Sequence, residues 1–136
     1  MKKLIFRLLQ WTWGLPQTLL GFILSRIRRD DPREEYHNCV VVRWDQRGSM
    51  SCGMYLFIGK KADSRVYVHE FGHSVQSAIL GPLFLPVMGI PSFLWCNFPA
   101  AKKLRRDKGV SYYAFYPEST ANRLGALVTR ESCDLR

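Results

Sequence analysis

Groups capable of chemistry are scarce in this chain. Of 136 residues, only three are histidine and four are cysteine. Cys39, Cys52, Cys96 and Cys133 form no C-x-x-C pair, which excludes a cysteine zinc ribbon and a thioredoxin-type redox motif. Four thiols in so long a chain also fall far below the density of a disulfide scaffold. Acidic residues are few, 11 Asp plus Glu against 20 Lys plus Arg, for a formal net charge of +9. No internal repeat or low-complexity tract is visible. What is abundant is apolar: 47% hydrophobic and 13% aromatic residues, with four tryptophans, exclude a disordered chain. The length suits one domain and is too short for two ordinary ones.

The basic excess points to nucleic acid or to an anionic membrane surface, and its distribution favours the membrane. Residues 8–25 (LLQWTWGLPQTLLGFILS) contain no charge. Lys2, Lys3 and Arg7 precede them, and Arg26, Arg28, Arg29 and Arg33 follow. A second uncharged stretch, residues 74–101, is followed by Lys102, Lys103, Arg105, Arg106 and Lys108. Cations crowded at the ends of apolar segments meet anionic headgroups while the apolar part leaves water. A nucleic-acid binder would interleave its cations with exposed aromatics along a groove.

Gly14, Pro16 and Gly21 interrupt the first segment, so an anchored or re-entrant helix is expected in preference to a clean span. Along it Lys3, Arg7, Gln10, Gly14, Gln17, Gly21, Ser25 and Arg28 recur at three- and four-residue steps. They form one polar or small stripe on a greasy helix, a packing seam suited to lipid. No small-residue cleavage site follows before residue 26, so a secretory signal peptide is not expected. The second segment holds Pro82, Pro86 and Pro91, which a straight spanning helix would not tolerate. A bent apolar loop or a pair of short helices fits it better.

Between the two, residues 37–44 (HNCVVVRW) and 51–58 (SCGMYLFI) are rich in β-branched and aromatic residues. The turn-forming residues 45–48 between them predict a β-hairpin, in which Cys39 and Cys52 stand on opposite strands and could pair in an oxidising compartment. The whole reads as a single α+β domain. Its expected parts are an apolar, membrane-anchoring helix (1–29), a β-hairpin (36–59), a helix (63–81), a Pro-rich apolar segment (82–101) and a last helix (117–131).

The sharpest pattern is His69-Glu70-Phe71-Gly72-His73, an H-E-x-x-H motif inside a stretch that Asp63 or Ser64 caps and Gly81-Pro82 ends. Histidines at i and i+4 lie one above the other on a helix and offer two imidazoles to one ion. Zinc suits such ligands and leaves room for a third protein ligand and a water, whose proton Glu70 is placed to take. The third ligand must come from few candidates. Downstream lie Asp107, Glu118, Glu131 and Asp134. Glu118 follows Pro117 at an evident helix start and shares a face with Ala121, Asn122 and Gly125, small enough to approach the motif helix. Asn122 is placed to hold the free nitrogen of a ligand histidine. His37 is the rival ligand. Tyr112, Tyr113, Tyr116 and Arg123 are candidates for contacting substrate or a developing oxyanion, and Gln76 for lining the cleft.

These residues resemble the zincin metallopeptidases, and Glu118 with Asn122 resembles the gluzincin branch. There, two histidines and a downstream glutamate bind zinc, and an aspartate usually stands where this chain has Asn122. The phrases HEFGHSVQSAILGPL and WTWGLPQTLLG also resemble small predicted bacterial membrane-associated metallopeptidases, over about residues 5–130. The resemblance implies a small zincin-like domain, and a strand edge, residues 49–58 here, that binds an extended peptide beside the active-site helix. The sequence therefore predicts a membrane-associated zinc metallopeptidase acting on a peptide or protein at a bacterial cell membrane. Its partners are membrane lipids and not nucleic acid, with a second copy or a protein partner left open. The basic clusters place its catalytic face on the cytoplasmic side. The alternatives are a structural zinc joining two helices and a site-2-type intramembrane protease. Against the latter, residues 60–65 (KKADSR) are too polar an approach to lie in lipid.

Overall fold

The computed structural model describes residues 2–46 and 48–131. In chain order it comprises α1 (Lys2–Trp11), α2 (Leu15–Ile27), β1 (Arg33–Tyr36), β2 (Cys39–Arg43), β3 (Met50–Cys52), β4 (Tyr55–Ile58) and α3 (Ser64–Leu80). A 3-10 turn (Gly81–Leu83) and a π-helical turn (Leu85–Gly89) lead into α4 (Ile90–Asn97) and α5 (Pro99–Lys108). A 3-10 turn (Tyr112–Ala114) then precedes α6 (Tyr116–Thr129). The α+β class expected from sequence is found.

The strands expected at 37–44 and 51–58 exist in shorter form, but they do not pair with each other as a hairpin. The first, β2, makes a two-residue hairpin with β1, which the sequence pattern did not mark, and the second is split at Gly53 into β3 and β4, which form a two-residue hairpin of their own. The first turn is His37-Asn38, both at positive φ (44° and 73°), and the second begins at Gly53 (φ 61°). Turns of this kind match the right-handed twist of antiparallel strands. The two hairpins then join through a parallel β2–β4 pairing, giving the order β1-β2-β4-β3. Because β4 separates β2 from β3, Cys39 and Cys52 stand two strands, about 9–10 Å, apart, beyond disulfide reach. Both are free thiols.

The sheet is apolar on both faces. Cys39, Val41, Leu56 and Ile58 pack on Phe71 of α3, while Val42, Tyr55 and Phe57 meet Leu24 of α2 and Trp44. Asp63 caps α3, its side chain accepting from the Arg65 N–H at 2.9 Å, and Gly81 (φ 57°) closes it. Both helix boundaries are those the sequence predicts.

The single helix expected over residues 1–29 is instead two, broken at residues 12–14, with Pro16 in the first turn of α2 where its missing N–H costs nothing. Their polarity is inverted. Gln10, Gln17 and Thr18 are wholly buried, and Gly14, Gly21 and Ser25 lie on the same buried seam. Leu4, Leu8 and Ile27, in contrast, are 54 to 70% exposed. The polar stripe docks on α3. Gln10 Nε2 donates to Ser74 O and Oγ (2.8 and 2.9 Å), and Ser77 Oγ donates to Gln10 Oε1 (2.8 Å). Gln17 Nε2 donates to Ser77 Oγ (2.7 Å) and Gly81 O (2.9 Å). Among the described residues, no helix is long and apolar enough to cross a membrane. The Pro-rich segment resolves into short helical pieces, and α5 continues from them as a basic helix that the sequence marked only as a charge cluster.

Candidate metal centre

Helix α3 carries the motif, and α6 is laid against it at backbone contact. An ideal Cβ on Gly72 would stand 1.8 Å from Ala121 O, and one on Gly125 would stand 2.1 Å from Val68 O. Only residues without a side chain allow this approach, and it sets Glu118 and Asn122 over His69 and His73. The face Glu118, Ala121, Asn122, Gly125 anticipated from helical spacing is the one that meets α3.

At the crossing, Glu118 Oε2 lies 2.9 Å from His69 Nε2 and 3.1 Å from His73 Nε2. The two imidazoles are edge-to-face with centroids 4.8 Å apart. The three residues are buried, with Glu118 fully enclosed. The opposite ring nitrogens are engaged too. His69 Nδ1 is 2.5 Å from Asn122 Oδ1, and His73 Nδ1 is 2.8 Å from Gln76 Oε1. Gln76 Nε2 donates to Pro117 O at 2.9 Å, so the Gln76 carbonyl is the end facing His73. A carbonyl oxygen only accepts, so His73 Nδ1 must donate, and the neutral ring then turns a bare Nε2 lone pair to the carboxylate. The same holds at His69 with Asn122 as acceptor.

Two lone pairs and a carboxylate oxygen thus converge in a buried space, which is unfavourable unless a cation sits among them. Their ligand atoms lie within 4.8 Å of one another. Tetrahedral zinc with bonds of about 2.0–2.1 Å separates its ligand atoms by about 3.3 Å, so Glu118 Oε2 would move a few tenths of an ångström away from each histidine nitrogen to accommodate it. Among the described residues this group offers three ligand atoms and no fourth. Burial works to raise the Glu118 carboxyl; with both rings protonated at Nε2, in place of the neutral form that would bind a metal, hydrogen bonds from His69 and His73, the His73 charge and the Ser92 hydroxyl together hold it below the ordinary carboxylate range. Ser92 Oγ donates to Glu118 Oε1, leaving Oε2 for the histidines.

Glu70, beside the first histidine, takes no part in that cluster. It is buried, and its Oε2 has no hydrogen-bond partner. Burial pushes its carboxyl up to about 7, the His69 charge opposing and the Glu118 charge adding. Glu70 borders β3, where burial first and the Glu70 charge second push the Cys52 thiol up to about 12.

Of the tyrosine and arginine candidates, the structure brings two to the site: Tyr112 hydrogen-bonds Ser92 and feels the Glu118 and Glu70 charges, and the Tyr113 ring is edge-on to His69 with centroids 5.1 Å apart. Tyr116 and Arg123 are placed elsewhere. Tyr116 donates through its hydroxyl to Val87 O at 2.5 Å, holding the π-helical turn, and Arg123 is exposed away from the face that meets α3. His37 sits in the β1–β2 turn against Phe71 and 3.5 Å from Glu131, outside the histidine cluster. Gln76 does not line a cleft but orients His73. Ser92 was not anticipated; its signal was a lone hydroxyl within the apolar run 90–96. Cys133 and Asp134 lie outside the described residues. Comparison with protein-family models, with curated proteins and with solved structures gives no match.

Proposed function

We propose that the protein is a membrane-associated zinc metallopeptidase, with His69, His73 and Glu118 as metal ligands and Glu70 as the general base. The observation that carries this reading is the pairing of two features at the α3–α6 crossing. Three buried acceptor atoms converge with the opposite histidine nitrogens already engaged, and a second carboxylate beside them, Glu70, is buried with its Oε2 unpartnered. A closed structural site would need a fourth ligand and would have no use for Glu70. A zinc ion at this point supplies a Lewis acid that polarises a carbonyl oxygen and makes water acidic.

The chain's own residues do the rest. Asn122 and Gln76 fix the ring orientations of His69 and His73. Glu70 accepts a proton from the attacking water as the new C–O bond forms at the peptide carbonyl. It returns that proton to the amide nitrogen as the C–N bond breaks, leaving one acid and one amine. Tyr112 and Tyr113, on the turn that meets the centre, are the candidates for hydrogen bonding to the carbonyl oxygen. Strand β3 is an edge of the sheet and packs beside α3, so an extended substrate can add to it. Membrane association is supported by the inverted polarity of α1 and α2, and the basic clusters that flank the apolar segments favour a cytoplasmic catalytic face.

The test separates base from ligand. Glu70→Gln should keep the zinc content and melting temperature of the wild type and lose peptide hydrolysis by about a thousandfold or more. His69→Ala and Glu118→Ala should lose the metal itself. Full hydrolysis by Glu70→Gln, or wild-type zinc affinity in Glu118→Ala, would overturn the reading.

A further inference from the structure

The candidate centre is shut. The side chains of His69 and Glu118 are 4% and 0% exposed, so no peptide bond reaches Glu70 until something moves. On the sheet side α3 is held by β3 and β4, and on another by the backbone contact with α6. The remaining cover is α4 with the Tyr112–Ala114 turn, which touch the site through Ser92 on Glu118 and Tyr113 on His69.

That cover is one unit with α5. Trp95 Nε1 donates to Tyr112 O at 2.8 Å. Arg105 donates to Trp95 O, and its guanidinium lies over the Trp95 ring at 4.8 Å and the Tyr112 ring at 5.4 Å. The unit is entered through the π-helical turn, a rare conformation that marks functional sites, and is left through Gly109 at φ 63°. Its outer side has two characters. Ile90, Phe93 and Phe98 are 54 to 66% exposed, and α5 follows with four exposed cations, Lys102, Lys103, Arg106 and Lys108, against the single acid Asp107. A second copy would bring two such cationic helices together, whereas an anionic bilayer complements both the apolar and the charged part.

We infer that α4 and α5 form a cap that docks on an anionic bilayer, and that docking draws Ser92 off Glu118 and opens the centre to a peptide lying at the membrane surface. The opening rests on the peptidase reading; the docking stands without it.

The experiment uses the full chain carrying Cys133→Ser, labelled with bimane at the exposed Cys96 of α4 and reconstituted into vesicles. The probe is the bilayer itself, phosphatidylcholine alone or with phosphatidylglycerol. Emission should be blue-shifted in the anionic vesicles relative to the neutral ones. Added salt and the triple reversal Lys102→Glu, Lys103→Glu, Arg106→Glu should abolish the shift, with zinc content unchanged. Identical emission in both vesicles, or a shift that survives the reversal, would overturn the docking. So would a shift explained by dimerisation, read by crosslinking in the same vesicles. Hydrolysis of an acyl-anchored peptide should rise at least about tenfold on anionic vesicles, and Ser92→Ala should narrow that gap by raising the rate on neutral ones. Docking with no change in rate would overturn the opening. Absence of hydrolysis under every condition from zinc-loaded protein would sink the peptidase reading and leave the docking measurement intact.

Discussion

The α3–α6 crossing gives the sharpest test of how this sequence builds its centre. Replacing Gly72 with alanine places a methyl carbon 1.8 Å from Ala121 O, where ordinary contact begins near 3.4 Å, so the helices must part by about 1.6 Å. Neither side of the clash is a flexible tip; both are helix backbone. Overpacking of this kind costs about 1–3 kcal/mol or more, which lowers the melting temperature of a chain this size by roughly 3–10 °C or more. The local effect is larger. Glu118 lies one turn before Ala121 on the displaced helix, and metal sites tolerate only about 0.2 Å of error in ligand distance. Zinc affinity, measured by competition with a chromophoric chelator, should fall by more than about a hundredfold. Gly125→Ala meets Val68 O at 2.1 Å. It lies two turns past Glu118 and should cost similar stability with less loss of zinc affinity. Gly48→Ala is the control, since nothing lies within 4 Å of its added carbon. Wild-type zinc affinity and an unchanged melt in Gly72→Ala would refute the close crossing and, with it, the placement of Glu118.

Three further outcomes follow from other contacts. Gln76→Leu removes the acceptor that orients His73 and should weaken zinc binding about 10–100-fold, while Asn122→Asp, which keeps the acceptor at His69 and adds charge, should strengthen it; chelator competition reads both. Gln10→Ala removes three buried hydrogen bonds to Ser74 and Ser77 and should cost about 1–3 kcal/mol in denaturant unfolding, whereas Leu8→Ala on the exposed side of α1 should cost under about 0.5 kcal/mol in detergent. Burial pushes the Cys39 thiol from 9.0 up to about 12, with the Ser74 hydrogen bond opposing. The unfolded chain therefore releases this proton first, so the stability it contributes is whole below about pH 9 and is lost as pH rises toward 12. Alkaline melts should show that slope, at most about 1.4 kcal/mol per pH unit for this thiol, and Cys39→Ala should flatten it; a native Cys39 should also resist alkylation that Cys96 accepts.

What the sequence revealed was whatever depends on local periodicity. The motif helix, its Asp63 cap, the Pro117 helix start and the shared face of Glu118 and Asn122 follow from residues within a few turns of each other. The stripe from Gln10 to Ser25 was legible for the same reason, and the structure buries it. Pairing was not legible. Residues 37–44 and 51–58 carry strand composition, but composition does not say that β2 and β4 run parallel. The deciding signals were the turns: His37 and Asn38 at positive φ are unremarkable in a residue list, and Gly53 lay within a stretch that otherwise reads as strand. Pro16 reads in sequence as an interruption, but a first-turn proline begins a helix, so the break between α1 and α2 falls before it, at residues 12–14. Ser92 was hidden because its role depends on α4 folding back onto α6, a contact made across 26 positions. Tyr116 and Arg123 show the converse error, since nearness to Glu118 in sequence does not place a side chain on the buried side of α6.

The helix that bears the motif is buried in three directions by different chemistry. Phe71 and Val75 meet the sheet, His69, His73 and Gln76 meet α6, and Ser74 and Ser77 meet the glutamines of α1 and α2. In water, a pair of helices gains nothing by hiding glutamines and displaying leucines, because the exposed apolar area forfeits about 25 cal/mol per Å² while the hidden amides only exchange one partner for another. In lipid the ranking reverses: the displayed side chains cost nothing, and an amide finds its partner only within the protein. The Gln10–Ser77 and Gln17–Ser77 contacts are therefore what holds α1 and α2 to the motif helix on the membrane reading. The same contacts tie the register of that helix to the apolar surface. If the reading is right, transfer from lipid or detergent into plain buffer should loosen α1 and α2 before the α3–α6 crossing. Hydrogen exchange should then show amides of residues 15–27 opening first while zinc remains bound. Equal protection of both parts in buffer would mean that water, and not lipid, is the solvent for which these helices were selected.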